Sequence, residues 1–279
     1  MSSIRIFDIQ RTSLVDGPGV RTTVFFKGCN LRCRWCHNPE SQRFEPELLL
    51  HKNKCTGCGI CRAVCPNGLT HCTACGKCAD TCAAGARELA GRDADVEEVF
   101  AEVCKDARYY ERSGGGVTCS GGECMLQTGA LTELLRLCRE AGIHTAVDTA
   151  GCVPWESFEA VSPYTDLFLY DVKGMDEEAH IRNTGKSNRL ILENLSRLAE
   201  LAPEKILVRI PVIPGVNDTD DEMEAMAAFL RERELRAVEL LPYHRMGEHK
   251  YADLGRQAEN FSVPSAEALL RCREKFDRI

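Results

Sequence analysis

The sequence predicts an α/β fold, a partial (β/α)6 barrel interrupted by one small cysteine-rich insert. After residue 95, short apolar strands alternate with amphipathic helices, an order typical of a parallel sheet with right-handed crossovers. About six strand–helix units are present, which is too few for a closed eight-stranded barrel. Eight of the 17 cysteines fall between residues 55 and 82, and they mark the insert. We therefore assign 1–47 and 90–279 to the barrel and 48–89 to the insert.

Composition limits the classes of function that the chain can have. Its 279 residues, 44% of them hydrophobic, suffice for one large domain with an insertion. A net charge of -7 argues against a nucleic-acid partner held by charge. The first ten residues lack the apolar core of a signal peptide, and no apolar run approaches the roughly 20 residues that cross a bilayer. We therefore expect a cytoplasmic monomer without a membrane partner.

Local patterns define the barrel elements in chain order. Asp95 is a candidate N-cap, because Glu97 and Glu98 follow it in the first turn and apolar residues recur at helical spacing. The turn Asp16–Gly19 joins the first two strands. The predicted strands are 4–10, 23–26, 117–119, 144–147, 166–170, 205–213 and 238–241. The predicted helices are one from Asp95 to the glycines at 114–116, then 131–140, 176–183, 188–202, 218–235 and 265–276.

The insert repeats one cysteine pattern, C-x2-C-x2-C-x3-C, in two consecutive copies. This is the bacterial ferredoxin spacing, in which the fourth cysteine of each copy ligates the other cluster. We therefore pair Cys55, Cys58 and Cys61 with Cys82 on one 4Fe–4S cluster, and Cys72, Cys75 and Cys78 with Cys65 on the second. Protein thiolates fill all four positions of each cluster, so both should carry electrons rather than bind a substrate. Only six residues separate Cys65 from Cys72, which predicts a compact insert.

A different cysteine pattern follows the strand Thr23–Phe26. Cys29, Cys33 and Cys36 have the spacing C-x3-C-x2-C, and Trp35 precedes the last cysteine. Three thiolates would leave one iron of a 4Fe–4S cluster open to a small molecule. A structural zinc loop is the alternative, but zinc sites usually pair two separate C-x2-C units. Most of the cysteines recur at three-residue steps, which indicates metal ligation in a reducing cell rather than disulfide bonds. Because thiolates and clusters oxidise easily, we also expect an oxygen-poor setting.

The other strands also end in residues that can bind or react. In parallel α/β barrels, chemistry collects at the carboxyl ends of the strands. Charged residues that close an apolar strand need a partner, because burying a charge alone is costly. Each residue also has a plainer explanation as a turn, a cap, a surface ion pair or a core histidine. In chain order these strand ends carry Ser120-Gly121-Gly122-Glu123, Asp148-Thr149, Asp171 with Lys173, Arg209, and Tyr243-His244.

These patterns together resemble a known family. The motif C-x3-C-x-aromatic-C after the first barrel strand resembles the signature of radical S-adenosylmethionine (SAM) enzymes. The strings DGPGVRTTVFFKGC, WCHNPE, VTCSGGECMLQ, VDTAG, LYDVK, VRIPVIPGVND and ELLPYH are similar to those of glycyl-radical-enzyme activating enzymes, of which the pyruvate formate-lyase activase is the plain form. The insert resembles the longer members, which activate dehydratases, decarboxylases and C–N or C–S lyases. The resemblance implies a partial barrel of the radical SAM type with a bacterial-ferredoxin-like two-cluster insert.

The resemblance also implies roles for particular residues. Cys29, Cys33 and Cys36 would be the catalytic cluster ligands, and the segment from Trp35 to His37 would flank the adenine of SAM. Asp148, Thr149 and Asp171 would form a monovalent cation site, although Ala150 stands where the family has asparagine. The turn Asp16–Gly19 would contact the glycyl loop of the partner. The further SAM-binding positions would be Gly121, Gly122 and Asp148 near the amino group, and Asp171, Val172, Lys173, Arg209 and His244 on the carboxylate or ribose side.

The predicted activity is the reductive cleavage of SAM to a 5′-deoxyadenosyl radical, which takes a hydrogen atom from a backbone glycine of a partner glycyl radical enzyme. The predicted cofactors are SAM, one SAM-binding 4Fe–4S cluster and two auxiliary clusters, with a flavodoxin or ferredoxin as electron donor. One alternative is a radical SAM maturase that modifies peptides, and another is a non-enzymatic electron carrier. Six further cysteines are interpreted as small buried hydrophobic residues: Cys104, Cys119, Cys124, Cys138, Cys152 and Cys272.

Overall fold

The structure, a computed structural model, describes residues 2–277, so Met1, Arg278 and Ile279 at the ends of the predicted barrel lie outside the described residues. Its strands are β1 (Ser3–Ser13), β2 (Arg21–Phe26), β3 (Glu47–Leu50), β4 (Arg87–Ala90), β5 (Arg92–Asp95), β6 (Gly116–Gly121), β7 (His144–Thr149), β8 (Leu167–Asp171), β9 (Ile206–Val212) and β10 (Val238–Pro242). Its helices are α1 (Ile60–Val64), α2 (Lys77–Asp80), α3 (Val96–Cys104), α4 (Ala107–Ser113), α5 (Thr128–Glu140), α6 (Trp155–Val161), α7 (Glu177–Thr184), α8 (Arg189–Leu201), α9 (Asp220–Glu232), α10 (Glu248–Asp253) and α11 (Ala266–Glu274). None of the helices in this part of the chain has the length and apolar character needed to span a bilayer.

Eight strands form one sheet in the order β10-β9-β8-β7-β6-β2-β1-β5. Six neighbouring strands of this sheet are parallel, as the sequence predicted: β2, β6, β7, β8, β9 and β10. The strand β1 is antiparallel to β2, and β5 is antiparallel to β1 at the edge. The strand β5 was not predicted, because its four residues, Arg-Asp-Ala-Asp, carry no apolar strand pattern and are held by backbone pairing with β1.

Helix ends test the capping predictions. Thr219 caps α9, because its hydroxyl oxygen accepts a hydrogen bond from the Glu222 N–H. Asp95 is the N-cap residue of α3 and Glu97 and Glu98 lie in the first turn, as predicted, although the Asp95 side chain makes no capping hydrogen bond. The predicted single helix before Gly114 is two helices, α3 and α4. Between them Asp106 is fully buried and accepts hydrogen bonds from the side chains of Arg11 and Thr22.

Buried apolar side chains on one face of the sheet form one continuous core with the surrounding helices. Five of the six cysteines predicted to be buried belong to this core, while Cys104 is only partly buried. The side chain of Arg21 is also fully buried, at the start of β2. It donates to the Thr118 hydroxyl (2.6 Å) and to the carbonyl oxygens of Val117 and Pro18, so it ties the turn before β2 to β6.

The insert leaves the barrel through a two-stranded antiparallel sheet, β3 and β4, in which Leu50 pairs with Arg87. Its two halves repeat the same geometry. The helices α1 and α2 each begin after a glycine in the left-handed conformation, Gly59 (φ 77°) and Gly76 (φ 78°). The repeat extends to the sulfur atoms: the Leu69 N–H donates to Cys65 Sγ and the Ala86 N–H donates to Cys82 Sγ, both at 3.3 Å. The cysteine repeat in the sequence is thus a structural repeat.

Candidate active site

A cavity of about 460 Å³ opens at the carboxyl ends of the parallel strands. Val172, which was also predicted as a site residue, does not line it. That side chain is buried, and its N–H donates to the Arg209 carbonyl oxygen between β8 and β9. The remaining predicted barrel residues all line this one cavity: Cys29, Cys33, Trp35, Cys36, His37, Gly121, Gly122, Asp148, Asp171, Lys173, Arg209 and His244.

The cysteine loop after β2 is held by backbone hydrogen bonds on two sides. The Gly28 N–H donates to the Ser41 carbonyl oxygen (2.7 Å), which closes the loop on itself. The Arg32 N–H donates to the Thr184 carbonyl oxygen (2.7 Å) at the end of α7. On the far side of the loop, the Tyr251 hydroxyl of α10 donates to the Cys36 carbonyl oxygen (3.1 Å). The three thiols are therefore presented by a loop whose backbone is fixed from the barrel and from α10.

The three thiols form a donor set that fits an iron–sulfur cluster with one open iron. Burial raises the pKa of the Cys29 and Cys36 thiols to about 12. Such thiols stay protonated until a metal displaces the proton, as thiolate ligation requires. Within residues 2–277, no three His, Cys, Asp or Glu side chains converge tightly enough to hold a single ion. A 4Fe–4S cluster instead distributes its thiolates over separate irons, and the soft sulfur donors match it.

A partly buried network of charges lines the same cavity as the thiols. Arg209 on β9 donates to Asp148 Oδ1 (2.7 Å) and to Asp171 Oδ1 (3.3 Å), so one guanidinium bridges two carboxylates. Lys173 Nζ donates to Asp171 Oδ2 (2.9 Å), and the Ser120 hydroxyl donates to Asp148 Oδ2 (2.6 Å). Burial opposes ionisation of Asp171, but the two cations hold its pKa below the usual value. Two carboxylates and two cations thus balance at the wall of the cavity.

Aromatic rings form another wall of the cavity. The imidazoles of His37 and His244 stack with centroids 4.0 Å apart, and His37 Nε2 lies 2.9 Å from the His244 carbonyl oxygen. Burial and the neighbouring His244 lower the pKa of His37 to about 4, so the ring is neutral at pH 7. Tyr243 stacks on the same His37 ring, and Trp35 packs edge-on against Phe261. Among the described residues, the buried His244 Nδ1 has no hydrogen-bond partner.

The two glycines at the end of β6 are required by close backbone packing. The Gly122 N–H donates to the Phe26 carbonyl oxygen (2.9 Å), so this turn lies against the end of β2. A Cβ atom on Gly122 would lie 2.2 Å from the Gly28 carbonyl oxygen. The sequence predicts these glycines to be either a plain turn or a place where a ligand approaches the backbone closely. Their contact with the backbone that leads into Cys29 shows that they also position the cysteine loop.

Glu123 is a site residue that the sequence analysis did not assign. Its carboxylate accepts hydrogen bonds from the Thr149 hydroxyl (2.8 Å) and from the N–H groups of Ala150 and Met125. It is 1% exposed, and burial raises its pKa to about 7. The carboxylate fixes the end of β7 beside β6. An acidic residue directly after two glycines at a strand end was the available signal.

Gly122→Ala is expected to lower the free energy of unfolding by about 1–3 kcal/mol, because the new methyl group must displace the Gly28 carbonyl group. The matched control is Gly129→Ala in α5, where a Cβ atom meets nothing within 4 Å and alanine favours the helix. Anaerobic urea denaturation of both variants measures the difference. Equal stability of the two variants would contradict the proposed packing role.

The sequence and fold of this chain are similar to those of one superfamily of enzymes. The family model described as the Radical SAM superfamily matches residues 23–230. A crystal structure of a domain of pyruvate-formate lyase-activating enzyme from Bacteroides vulgatus is 33% identical, with a TM-score of 0.50, and the match covers 59% of this chain and 94% of that domain. The fold and the three-cysteine loop therefore define a radical SAM enzyme with a mostly parallel α/β sheet, which binds SAM and a 4Fe–4S cluster.

Two characterised relatives narrow the class. The chain is 42% identical over 289 aligned positions to the trans-4-hydroxy-L-proline dehydratase activating enzyme of Clostridioides difficile, covering 98% of this chain and 95% of the relative. It is 40% identical over 270 positions to the choline trimethylamine-lyase activating enzyme of Oleidesulfovibrio alaskensis, covering 90% and 86%. The chain belongs to the glycyl-radical-enzyme activating enzymes of the radical SAM superfamily.

Proposed function

We propose that the 460 Å³ cavity is where this chain cleaves SAM, and that the product radical takes a hydrogen atom from a glycine of a partner glycyl radical enzyme. The observation that carries the proposal is the meeting of three thiols, a balanced charge network and an aromatic wall in that cavity. When bound, the cluster and SAM supply the electron transfer and the S–C5′ bond cleavage that yields the 5′-deoxyadenosyl radical.

The residues of the cavity match the parts of SAM. Cys29, Cys33 and Cys36 would hold the cluster and leave one iron for the amino and carboxylate groups of SAM. The charge network suits the zwitterionic methionine part, because it offers both a carboxylate and a cation at the cavity surface. Lys173 and Arg209 would meet the carboxylate, and the turn at Gly121-Gly122 with Asp148 would meet the amino group. The chain thus positions the cofactor and excludes water from it.

The adenine would lie along the aromatic wall. His37 is neutral, so adenine can pack against the aromatic rings around it without the cost of desolvating a charge. For a monovalent cation to bind at Asp148, Thr149 and Asp171, the Arg209 guanidinium would have to turn away from the two carboxylates it now contacts.

The partner glycine would reach the cavity beside the turn before β2. Val15 and Asp16 line the cavity, and the side chains of Leu14 and Val15 are 73% and 79% exposed. Two exposed apolar side chains at a cavity mouth are typical of a surface that another chain covers. We assign this turn, with Asp16–Gly19, to contact with the glycyl loop.

We assign the insert, 48–89, to two auxiliary 4Fe–4S clusters with the cysteine pairing given by the ferredoxin spacing. The support is the repeated geometry of the two halves and the matching N–H···Sγ bonds at Cys65 and Cys82. Cys61 and Cys78, one cysteine from each half, both act to raise the pKa of Arg87 on β4, so a positive charge would lie near both proposed centres. These centres would receive electrons from a flavodoxin or ferredoxin and pass them towards the cavity.

Anaerobic reconstitution with iron and sulfide tests the proposal. The loaded protein is expected to convert SAM to methionine and 5′-deoxyadenosine under dithionite, and to give a glycyl radical signal in electron paramagnetic resonance when its partner is added. The partners to try are glycyl radical dehydratases, C–N lyases, C–S lyases and decarboxylases. Loaded protein that leaves SAM intact would overturn the proposal. Cleavage of SAM with modification of a short peptide, but no glycyl radical, would favour the maturase alternative.

A further inference from the structure

The insert carries a positive charge that the rest of the chain does not. Between residues 51 and 86 there are four cations and one carboxylate, Asp80, whereas the whole chain has a net charge of -7. All four cations are exposed, and none of them forms an ion pair within residues 2–277, although cations elsewhere commonly do. We call these four residues the cationic rim: Lys52, Lys54, Arg62 and Lys77.

Three members of the cationic rim are adjacent to a cysteine of the insert in the sequence. Lys54 precedes Cys55, and Cys55, Cys58, Cys72 and Cys75 are all exposed. A redox centre held by these thiols would therefore lie close to the surface. Unpaired cations around an exposed redox centre are arranged to attract a negatively charged partner and to speed its encounter.

The same surface continues onto the barrel. Lys52, Lys54 and His249 line a surface cleft of about 370 Å³ between the insert and α10. His51, in this cleft, contacts Asp253 of α10 (2.9 Å) and Glu88 of β4 (3.0 Å), which fixes the insert against α10. Tyr251 of the same helix contacts the backbone of Cys36 in the cysteine loop. A protein bound at the cleft would thus rest on the insert and on the helix that supports the cysteine loop.

We propose that the cationic rim is the docking surface for an acidic electron-carrier protein, which delivers its electrons to the insert rather than at the SAM cavity. At each encounter the carrier is oxidised by one electron and one insert centre is reduced by one electron, with no bond formed or broken between the proteins. The inference rests on the proposed function, because it requires redox centres in the insert. Because the insert is positive, the rest of the chain carries a more negative charge than the -7 of the whole chain. It would therefore repel an acidic carrier.

Charge reversal of the rim tests the inference, with flavodoxin as the probe. The test variant is Lys52→Glu with Arg62→Glu, neither of which is a cluster ligand. The matched control is Arg112→Glu with Arg236→Glu, two exposed arginines that precede β6 and β10 at the opposite end of the parallel strands. Affinity for oxidised flavodoxin is measured over a salt series. The electron-transfer rate is followed by stopped flow, from flavodoxin hydroquinone to the fully loaded protein.

In the wild-type protein, affinity and rate are expected to fall as salt rises. The rim variant is expected to lose about tenfold in both at low salt, and the control variant to match the wild type. Equal behaviour of the two variants would overturn the inference. Heparin binding is measured on the same proteins. If the rim variant lost heparin binding to the same extent as flavodoxin binding, the inference would also be overturned, because the rim would then bind any polyanion.

The methyl viologen radical cation separates this inference from the proposed function. As a small cation it gains nothing from the rim, so it is expected to drive SAM cleavage in all three proteins. If methyl viologen drives SAM cleavage but flavodoxin binds and reduces the rim variant as well as the wild type, only the docking inference fails. If the loaded wild type cleaves no SAM with methyl viologen, the proposed function fails, and flavodoxin affinity still decides whether the rim is a docking surface.

Discussion

Cys33→Ser is expected to reduce SAM cleavage to below about one thousandth of the wild-type rate, which corresponds to about 4 kcal/mol or more in activation free energy. The hydroxyl group is a poor ligand for iron, so the cluster with the open iron would not be retained. Iron content is expected to fall from about twelve to about eight atoms per chain, because the two clusters proposed for the insert would not use this residue. Anaerobic iron analysis and 5′-deoxyadenosine formation measure the two effects.

Cys104→Ser is the control for this prediction. Cys104 is partly buried at the end of α3 and does not line the cavity, so the same chemical change should leave iron content and SAM cleavage near wild type. If Cys33→Ser instead kept both full iron content and SAM cleavage, the three cysteines would not be the cluster ligands. A loss of all iron from Cys33→Ser would indicate that the insert depends on the cysteine loop for its own clusters.

Arg209→Met is expected to lower the free energy of unfolding by about 3–5 kcal/mol at pH 7. The arginine is 8% exposed, and its removal leaves Asp148 and Asp171 as partly buried carboxylates with only Lys173 to balance them. Urea denaturation measures the loss. Arg209→Lys keeps the charge but cannot span both carboxylates, so an intermediate stability is expected.

The pH dependence of Arg209→Met gives a second test. In the wild type the pKa of Asp171 is held below its usual value, so its contribution is present above the unfolded pKa and is lost as the pH falls. In the variant, protonation of the Asp148 and Asp171 carboxyl groups stabilises the folded state, because it removes charges that have lost their main partner. The difference between the two proteins is therefore expected to shrink as the pH falls towards 5. Arg139→Met, which breaks only an exposed pair with Asp166, should cost less than about 1 kcal/mol, with no such pH dependence.

Local sequence was enough for the features that depend on neighbouring residues. Six parallel strands could be predicted, because each is an apolar run followed by a turn, and buried strands require that pattern. The three thiols of the cysteine loop lie within eight residues, so spacing alone indicated the cluster. Parallel strands bring their carboxyl ends to one edge, which is why His244 and Cys29 could be expected in a common site.

Only the tertiary structure decided which charges and backbones meet. Arg209 contacts Asp148 across 61 residues and Asp171 across 38, and no local pattern distinguishes this bridge from two surface ion pairs. The break at Asp106 and the edge strand β5 likewise depend on partners on β1 and β2. The physical reason is that the free energy of a buried charge or an unpaired backbone group is set by what packs against it. The sequence by itself therefore determined the strands and the chemistry at their ends, and the fold determined the partners that make those residues one site.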